Sequence, residues 1–202
     1  MRAMLEAIDD GLAEPAEYLP LLGDRVRTLS ALVDDLFELA RIDARVLTTQ
    51  LRAVDALGVV GACVRGFEAE ARARCVTLEA HAEASLPPVL CAPEQVERVL
   101  HNLLTNALRH TSADGAIAVV VRPQPGAVLI AVEDTGEGLS EETAARMFDQ
   151  FWRGEPSRTT SGSGLGLAIA RRLVETQGGR IWAENRASGG ARVAFTLPAA
   201  PA

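Results

Sequence analysis

Apolar residues in the first part of the chain recur at heptad spacing. Between residues 19 and 40 they alternate in steps of three and four, which predicts a helix with one apolar seam. Further apolar residues beside the seam predict packing on two sides, and a turn through Gly11 and Pro15 indicates a short preceding helix. Residues 1–45 are therefore predicted to form a helical hairpin. The seam consists of Leu19, Leu22, Val26, Leu29, Val33, Leu36 and Ala40.

An exposed apolar seam on a long helix has two interpretations. The favoured one is self-association, with a homodimer formed through the helical hairpin. The alternative is an amphipathic helix that covers the chain's own domain. The heptad spacing is common to both, so the choice rests on what the second face of the helix contacts.

After Leu47 some segments have apolar residues about every 3.6 positions, as in a helix, and others have them at every second position, as in a strand. The succession lacks regular βαβ alternation, which predicts an α+β fold: a two-layer α/β sandwich with helices on one face of a mixed sheet. Glycines and RPQPG mark the turns, including a final hairpin around 188–190. Helices are predicted at 54–74, 93–110 and 165–179, and strands at 76–81, 89–91, 117–121, 127–134, 180–184 and 192–197.

Composition narrows the function classes. A 202-residue chain with 48% apolar residues is expected to fold, and its net charge of -7 argues against binding to nucleic acid. No apolar run is long enough for a membrane span, so no membrane contact is expected from this stretch. Cys63, Cys75 and Cys91 lack metal-site spacing and are expected to be buried in a reducing compartment. These features predict a cytoplasmic protein.

The predicted helix 93–110 carries a polar cluster beside its apolar face. Asn102, Asn106, Arg109 and His110 fall close together at helical spacing. The amide oxygen of Asn is a hard ligand that suits Mg²⁺, which leaves further coordination positions for phosphate and water. A plain solvent-facing stripe is the alternative for this cluster alone.

Two glycine-rich turns follow the helix. In VEDTGEGLS an apolar strand leads into Asp134, and Gly136 and Gly138 allow a close backbone approach. A carboxylate there could accept a hydrogen bond from an exocyclic amine such as that of adenine, although a plain hairpin turn is the alternative. In SGSGLGLAIARRL glycines precede a helix whose amides could bind an anion, but G-x-G-x-G is a weak signal alone. These glycines are Gly162, Gly164 and Gly166.

The segment between the two turns is MFDQFWRGEPSRTTS. Phe148 supplies an apolar anchor, and Arg153 and Arg158 supply charge among Gly, Ser and Thr residues. This composition predicts a mobile lid, with an ordinary surface loop as the alternative.

In this order, the four segments resemble the catalytic and ATP-binding domain of sensor histidine kinases in the GHKL superfamily. NLLTNALRHT is similar to the N box, DTGEGL to the G1 box, MFDQFWR to the F box and GSGLGLAI to the G2 box. The resemblance covers about residues 47–198, and VDDLFELARID resembles the second helix of the dimerisation and histidine-phosphotransfer hairpin. It implies the GHKL (Bergerat) fold, a partial hairpin at 1–45 and a catalytic ATP-binding domain at 46–202.

The resemblance also implies roles for individual residues, with ATP and Mg²⁺ as cofactors and a cognate response regulator as partner. Asp134 matches the adenine-binding Asp, and Asn106 matches the metal ligand, with Asn102 beside it. Asn102, Arg153 and Arg158 are the implied catalytic residues, the two arginines reaching the terminal phosphate. The remaining implied nucleotide contacts are Arg109, His110, Gly136, Gly138, Phe148, Gly162, Gly164, Leu165, Gly166 and Leu167.

Asn102 separates transfer from hydrolysis. The hydrolytic branch of the superfamily usually has Glu at the corresponding position, where it activates water as a general base. An amide cannot accept that proton, so the resemblance implies transfer to a protein nucleophile. A GHKL ATPase is the less favoured alternative, and a non-catalytic ATP-binding or dimerisation module is another.

The phosphoacceptor histidine of the family has no counterpart in this sequence. His81, His101 and His110 lie outside the expected helix context, and His81 is expected to have no adjacent carboxylate. The chain alone is therefore expected not to phosphorylate itself, since the accepting helix is mostly absent. Either a truncated chain or a degenerate natural form would explain this departure.

Overall fold

The elements below come from a computed structural model, which describes residues 15–44, 50–83, 85–154 and 163–201. Helices and strands are mixed along the chain, as the sequence predicted. In chain order they are α1 (Pro15–Asp43), β1 (Arg52–Val54), α2 (Ala56–Ala73), β2 (Thr77–Ala82), β3 (Val89–Cys91), α3 (Pro93–His110), β4 (Ala116–Gln124), β5 (Ala127–Asp134), α4 (Glu141–Arg146), α5 (Gly166–Thr176), β6 (Arg180–Asn185) and β7 (Ala191–Pro198).

A five-stranded mixed sheet forms one layer. Its strand order is β2-β4-β5-β7-β6, in which β2 and β4 are parallel and the other neighbours are antiparallel. A separate antiparallel pair joins β1 to β3. Helices α2, α3 and α5 pack on one face of the large sheet and enclose the main core. The predicted α+β two-layer sandwich is confirmed.

Strand β5 divides its side chains between the two faces of the sheet. Val128, Ile130 and Val132 belong to the core under the helices, while Leu129 and Ala131 form a small cluster on the opposite face. Successive side chains of a strand point to opposite faces, so the next residue of the first set, Asp134, is also on the helix side. The strand thereby delivers a carboxylate to the edge of the core.

Helix α3 has the predicted bounds because its sequence contains both end signals and a continuous apolar face. Pro93 occupies the first turn, where a missing N–H is tolerated. At the other end Thr111 is the cap residue, and its hydroxyl donates to the Ala107 carbonyl at 2.8 Å. The buried residues between these ends are Val96, Val99, Leu100, Leu103, Leu104, Ala107 and Leu108.

Several predicted boundaries were wrong. The helix predicted from Val54 begins at Ala56, because Asp55 caps it by accepting from the Leu57 amide at 3.0 Å. Val54 instead ends strand β1, which was not predicted. Helix α4 was also missed, although Ser140 caps it by accepting from the Thr143 amide at 3.1 Å.

Helix α1 combines the two interpretations of its seam. Leu39 and Ile42 are buried in the main core, so part of the helix covers the chain's own domain. Leu29, Leu36 and Phe37 are 53%, 54% and 67% exposed, which leaves an apolar stripe on the other side. The predicted first arm of the hairpin lies outside the described residues. Among the helices that the structure describes, none is sufficiently long and apolar for a membrane span.

The three cysteines differ in burial. Cys91 is fully buried, Cys63 is half-buried and Cys75 is exposed, so the expectation of burial was wrong for Cys75. Cys75 follows α2 in a turn with φ +55°, which carries it to the surface. Burial, aided by the charge of Glu97, raises the pKa of Cys63 to about 11, so its thiol is protonated at neutral pH.

Candidate functional site

Asn102 connects α3 to the start of α5. Its side-chain Nδ2 donates to the Gly166 carbonyl at 2.8 Å. The approach is tight, since a Cβ added to Gly166 would lie 3.3 Å from Asn102 Oδ1. Asn106 lies one helical turn further along α3 and is also half-buried. The two predicted asparagines therefore lie at the junction of two core helices.

Asp134 is a buried carboxylate held in a fixed orientation. The residue is 5% exposed, and its Oδ1 accepts from the Gly136 amide at 2.8 Å and from the Ala191 amide at 3.2 Å. Arg186 donates from Nη1 to the Asp134 carbonyl at 2.8 Å. Because both backbone amides bond Oδ1, neither uses Oδ2. The arrangement compensates part of the cost of burying the charge.

The turn after Asp134 is packed between α3 and β6. Gly136 lies against the backbone carbonyl of His110, and a Cβ there would also lie 3.0 Å from Asp134 Oδ1. Gly138 has φ +79°, in the left-handed region that favours glycine. Asn185 of β6 accepts from the Leu139 amide at 2.7 Å and donates to its carbonyl at 2.8 Å. The glycines thus allow contacts that a side chain would block.

The residues before α5 form a second glycine turn. Gly164 has φ +70°, and a Cβ there would lie 3.0 Å from the backbone of Phe151 and Trp152. Its carbonyl accepts from the Phe151 amide at 2.9 Å. Leu165 is fully buried, and its amide donates to Ser163 Oγ at 3.1 Å. This turn therefore holds the first amides of α5 in place.

The other predicted site residues differ in how far they are buried. Phe148 and Leu167 are partly buried and pack against the main core, so they have a structural contact in addition to any role toward a ligand. Arg109 and Arg153 are exposed. Arg158 and Gly162 lie outside the described residues.

Three arginines influence one another near the end of α3. Desolvation lowers the pKa of Arg109, and the guanidinium groups of Arg153 and Arg74 lower it further. Three like charges near one another repel, and an anion bound among them would relieve that repulsion. Arg74 is also paired with Glu70, with its Nη2 3.0 Å from Oε1, so the positive charge of this region is partly compensated within the chain.

The three histidines have separate surroundings. His110 Nδ1 lies 3.2 Å from Glu137 Oε1 in the first glycine turn. His101 packs against Phe67 of α2 with ring centroids 5.2 Å apart, and burial, followed by the charge of Arg98, lowers its pKa. His81 Nε2 lies 3.2 Å from Glu79 Oε2, so the expectation that it has no adjacent carboxylate was wrong. Glu79 is two positions away, on the same face of β2.

Sequence reasoning missed the support that the β6–β7 turn gives to Asp134. Gly189 and Gly190 were interpreted only as a hairpin signal. In the structure, Gly190 packs against the Asp134 carbonyl so closely that a Cβ would overlap it, and Arg186 bonds the same carbonyl. The second glycine of the pair could have indicated a close backbone contact, since one glycine is enough for many hairpin turns.

Comparisons with known proteins agree with this geometry. Residues 91–201 match the family of histidine kinase-, DNA gyrase B- and HSP90-like ATPases, and the chain belongs to this family. It is 33% identical to the alginate biosynthesis sensor protein KinB of Pseudomonas aeruginosa, over 91% of this chain and 30% of KinB. It is 32% identical to the signal transduction histidine-protein kinase BaeS of Escherichia coli, over 98% of this chain and 43% of BaeS.

A solved structure gives the same result for the fold. Full-length ShkA in complex with AMPPNP superposes with a TM-score of 0.80 at 28% identity, over 94% of this chain and 40% of ShkA. The resemblance to histidine kinase catalytic domains is confirmed. The chain spans less than half the length of KinB, BaeS and ShkA.

The β6–β7 turn provides a test of the support for Asp134. Gly189 and Gly190 have φ of +90° and +82°, so alanine at either position is strained by about 1–2 kcal/mol. A Cβ on Gly189 has open space, whereas one on Gly190 would meet the Asp134 carbonyl. We therefore expect Gly190→Ala to lower the free energy of unfolding by about 1–3 kcal/mol more than Gly189→Ala in chemical denaturation. Equal losses would show that Gly190 does not support Asp134.

Proposed function

We propose that this chain binds ATP with Mg²⁺ and acts as the catalytic domain of a two-component sensor histidine kinase. The observation that carries the proposal is the buried Asp134 carboxylate, held by backbone amides at the end of β5 in a chain of this ATPase family. A buried carboxylate with an oxygen that these amides do not use suits a ligand that offers an N–H donor. The exocyclic amine of adenine is such a donor.

The phosphates would lie between α3 and the start of α5. Gly164 and Gly166 supply backbone amides at the start of an 11-residue helix, where the helix dipole favours an anion, and Leu165, whose own amide donates to Ser163 Oγ, lies between them. Arg109 and Arg153 add positive charge, and the lowered pKa of Arg109 is consistent with a site that an anion would neutralise. The residues Gly136, Gly138, Phe148, Leu167 and His110 would complete the nucleotide surroundings, and Gly162 and Arg158 stay predictions.

The donor chemistry fits a magnesium ion that arrives with the nucleotide. The described part of the chain has no group of three His, Cys, Asp or Glu side chains able to hold a metal. Mg²⁺ is often bound by few protein ligands together with phosphate oxygens and water, and the half-buried Asn106 provides an amide oxygen of the right kind. When bound, Mg²⁺ would neutralise charge on the phosphates.

The proposed reaction is transfer of the γ-phosphoryl group to a histidine. The bond from the γ-phosphorus to the bridging oxygen breaks, a bond to an imidazole nitrogen forms, ADP leaves, and the imidazole proton passes to a base. Arg153 would stabilise charge on the transferred group. Asn102 cannot take a proton from water, and its Nδ2 is already bonded to Gly166, which supports transfer over hydrolysis.

The wider assignment follows the family resemblance. Residues 1–45 would belong to the dimerisation and phosphotransfer hairpin, and residues 46–202 to the catalytic domain. A response regulator would then accept the phosphoryl group from the histidine. The exposed stripe of α1 supports a homodimer, because bundle packing would cover it.

Nucleotide affinity should depend on the charge of Asp134. Replacing it with Asn puts an amide beside the amine of adenine, and we expect ATP to bind with about tenfold to hundredfold lower affinity, or about 1–3 kcal/mol. Calorimetric titration checks this. Asp114→Asn is the matched control, since Asp114 is exposed and its φ of +63° suits Asn. Unchanged affinity in Asp134→Asn would contradict the site assignment.

Phosphotransfer should require an acceptor supplied separately. With γ-labelled ATP and Mg²⁺, we expect no acid-labile, base-stable label on the chain alone, because none of its three histidines is presented on a hairpin helix. A hairpin carrying the complete acceptor helix should gain such label. Label on His81, His101 or His110 would show that the acceptor was misidentified, and release of phosphate without label would favour an ATPase.

Self-association should depend on the exposed stripe of α1. We expect Leu29→Glu with Leu36→Glu to convert dimers to monomers in analytical ultracentrifugation, because charges would replace half-exposed apolar side chains in the seam. Leu57→Glu on α2 is the control, since Leu57 is 40% exposed outside the seam. A parent chain that stays monomeric at high concentration would contradict the proposed dimer.

A further inference from the structure

Asp35 of α1 contacts two different parts of the proposed nucleotide site. Its Oδ1 accepts from Arg98 Nη2 of α3 at 2.7 Å, and its Oδ2 accepts from Ser163 Oγ at 3.0 Å. The side chain is only 13% exposed, so these bonds are shielded from competing water. Both oxygens of one carboxylate are therefore engaged, each by a different element.

Ser163 and α3 extend the contact into the site. Ser163 Oγ, which donates to Asp35, also accepts from the buried Leu165 amide at 3.1 Å. The next residue, Gly166, accepts from Asn102 of α3 at 2.8 Å. Arg98 and Asn102 are one helical turn apart on α3. The result is a closed ring of hydrogen bonds through α1, α3 and the start of α5, which we call the Asp35 ring.

Glu38 shows that holding α1 against α3 is separate from closing the ring. It lies one turn after Asp35 on α1 and accepts from Arg98 Nε at 3.1 Å. In the described part of the chain, Asp35 is the α1 residue that also bonds the turn before α5. Loss of Glu38 would weaken the helix contact, whereas loss of Asp35 would also release Ser163.

We propose that Asp35 is a positioning residue that couples the docking of α1 to the nucleotide-binding turn at 163–166. Docked α1 holds Ser163, which fixes the Leu165 amide and the start of α5 beside Asn102. By thermodynamic reciprocity, a nucleotide that prefers this ordered turn also favours docked α1, by the same factor. The coupling rests on the proposed function, because it needs the turn to bind nucleotide.

Asp35→Asn is a sharp test because an amide has one acceptor oxygen, whereas Asp35 uses two. The amide oxygen is favoured toward Arg98, because Nδ2 there would oppose a guanidinium donor, so the Ser163 hydroxyl loses the acceptor that it uses in the parent chain while the size of the side chain is kept. Glu38→Gln is the matched control, since it removes a negative charge that pairs with the same Arg98 guanidinium, and among the described residues Glu38 makes no hydrogen bond to the turn. Ser163→Ala breaks the ring at the hydroxyl, because it removes the bonds from Ser163 to Asp35 and to the Leu165 amide. Melting temperatures of all variants show whether the fold is kept.

The first measurement is amide hydrogen exchange without nucleotide. We expect the amides at 163–166 to exchange faster by about threefold to tenfold in Asp35→Asn and Ser163→Ala, while Glu38→Gln stays near the parent chain. The double variant should be no faster than the faster single variant, because both break the same ring. Unchanged exchange in both Asp35→Asn and Ser163→Ala would overturn the proposal, whatever the nucleotide result.

The second measurement is AMPPNP affinity with Mg²⁺ for the same proteins. We expect about threefold to tenfold weaker binding in Asp35→Asn and less than twofold change in Glu38→Gln. Faster exchange with parent-like affinity would overturn the coupling and leave the proposed function intact. A parent chain that binds no AMPPNP would overturn the proposed function and the coupling with it, while the exchange result would still decide whether Asp35 holds the turn.

Discussion

The buried apolar face of α3 is the constraint on which the rest of the structure depends. Its leucines and valines pack between α2, α5 and the sheet, and this burial fixes the rotation of the helix about its axis. With that rotation fixed, Asn102 meets the first residue of α5. The same packing explains why Asp134, which continues the core-facing set of β5, belongs to the helix side of the sheet.

Glycine and backbone hydrogen bonds complete the site around that helix. Gly136 fits against the end of α3, and Gly190 fits against the Asp134 carbonyl, where larger residues would overlap. The buried carboxylate is then satisfied by amides from its own turn and from the β6–β7 turn. These contacts hold the carboxylate in one orientation, and a group that is already oriented lowers the entropic cost of binding a ligand.

Local signals predicted most of the fold and also suggested the residues of the candidate site, whose roles stay predictions. The bounds of α3 were correct because Pro93 and a sustained 3.6-residue period lie within the segment itself. Strand β1 was missed because its three residues are held by pairing with β3, which lies far along the chain. The six-residue helix α4 is too short to show a period, although Ser140 marked its start.

Contacts between segments that are distant in the chain could not be predicted from the sequence pattern. Asp35 is separated from Arg98 by 63 positions and from Ser163 by 128, so spacing gave no indication that they meet. The seam of α1 predicted an apolar helix but did not divide it into a docked side and an exposed side. That division depends on the shape of the domain against which Leu39 and Ile42 pack.

The central claim is that α3, the end of β5 and the start of α5 together form a site for a magnesium nucleotide. Calorimetric titration of the unaltered chain with AMPPNP, in the presence and absence of Mg²⁺, tests it most directly. The account predicts saturable binding of one nucleotide per chain, with lower affinity when Mg²⁺ is removed. Absence of binding at millimolar AMPPNP in the presence of Mg²⁺ would contradict it.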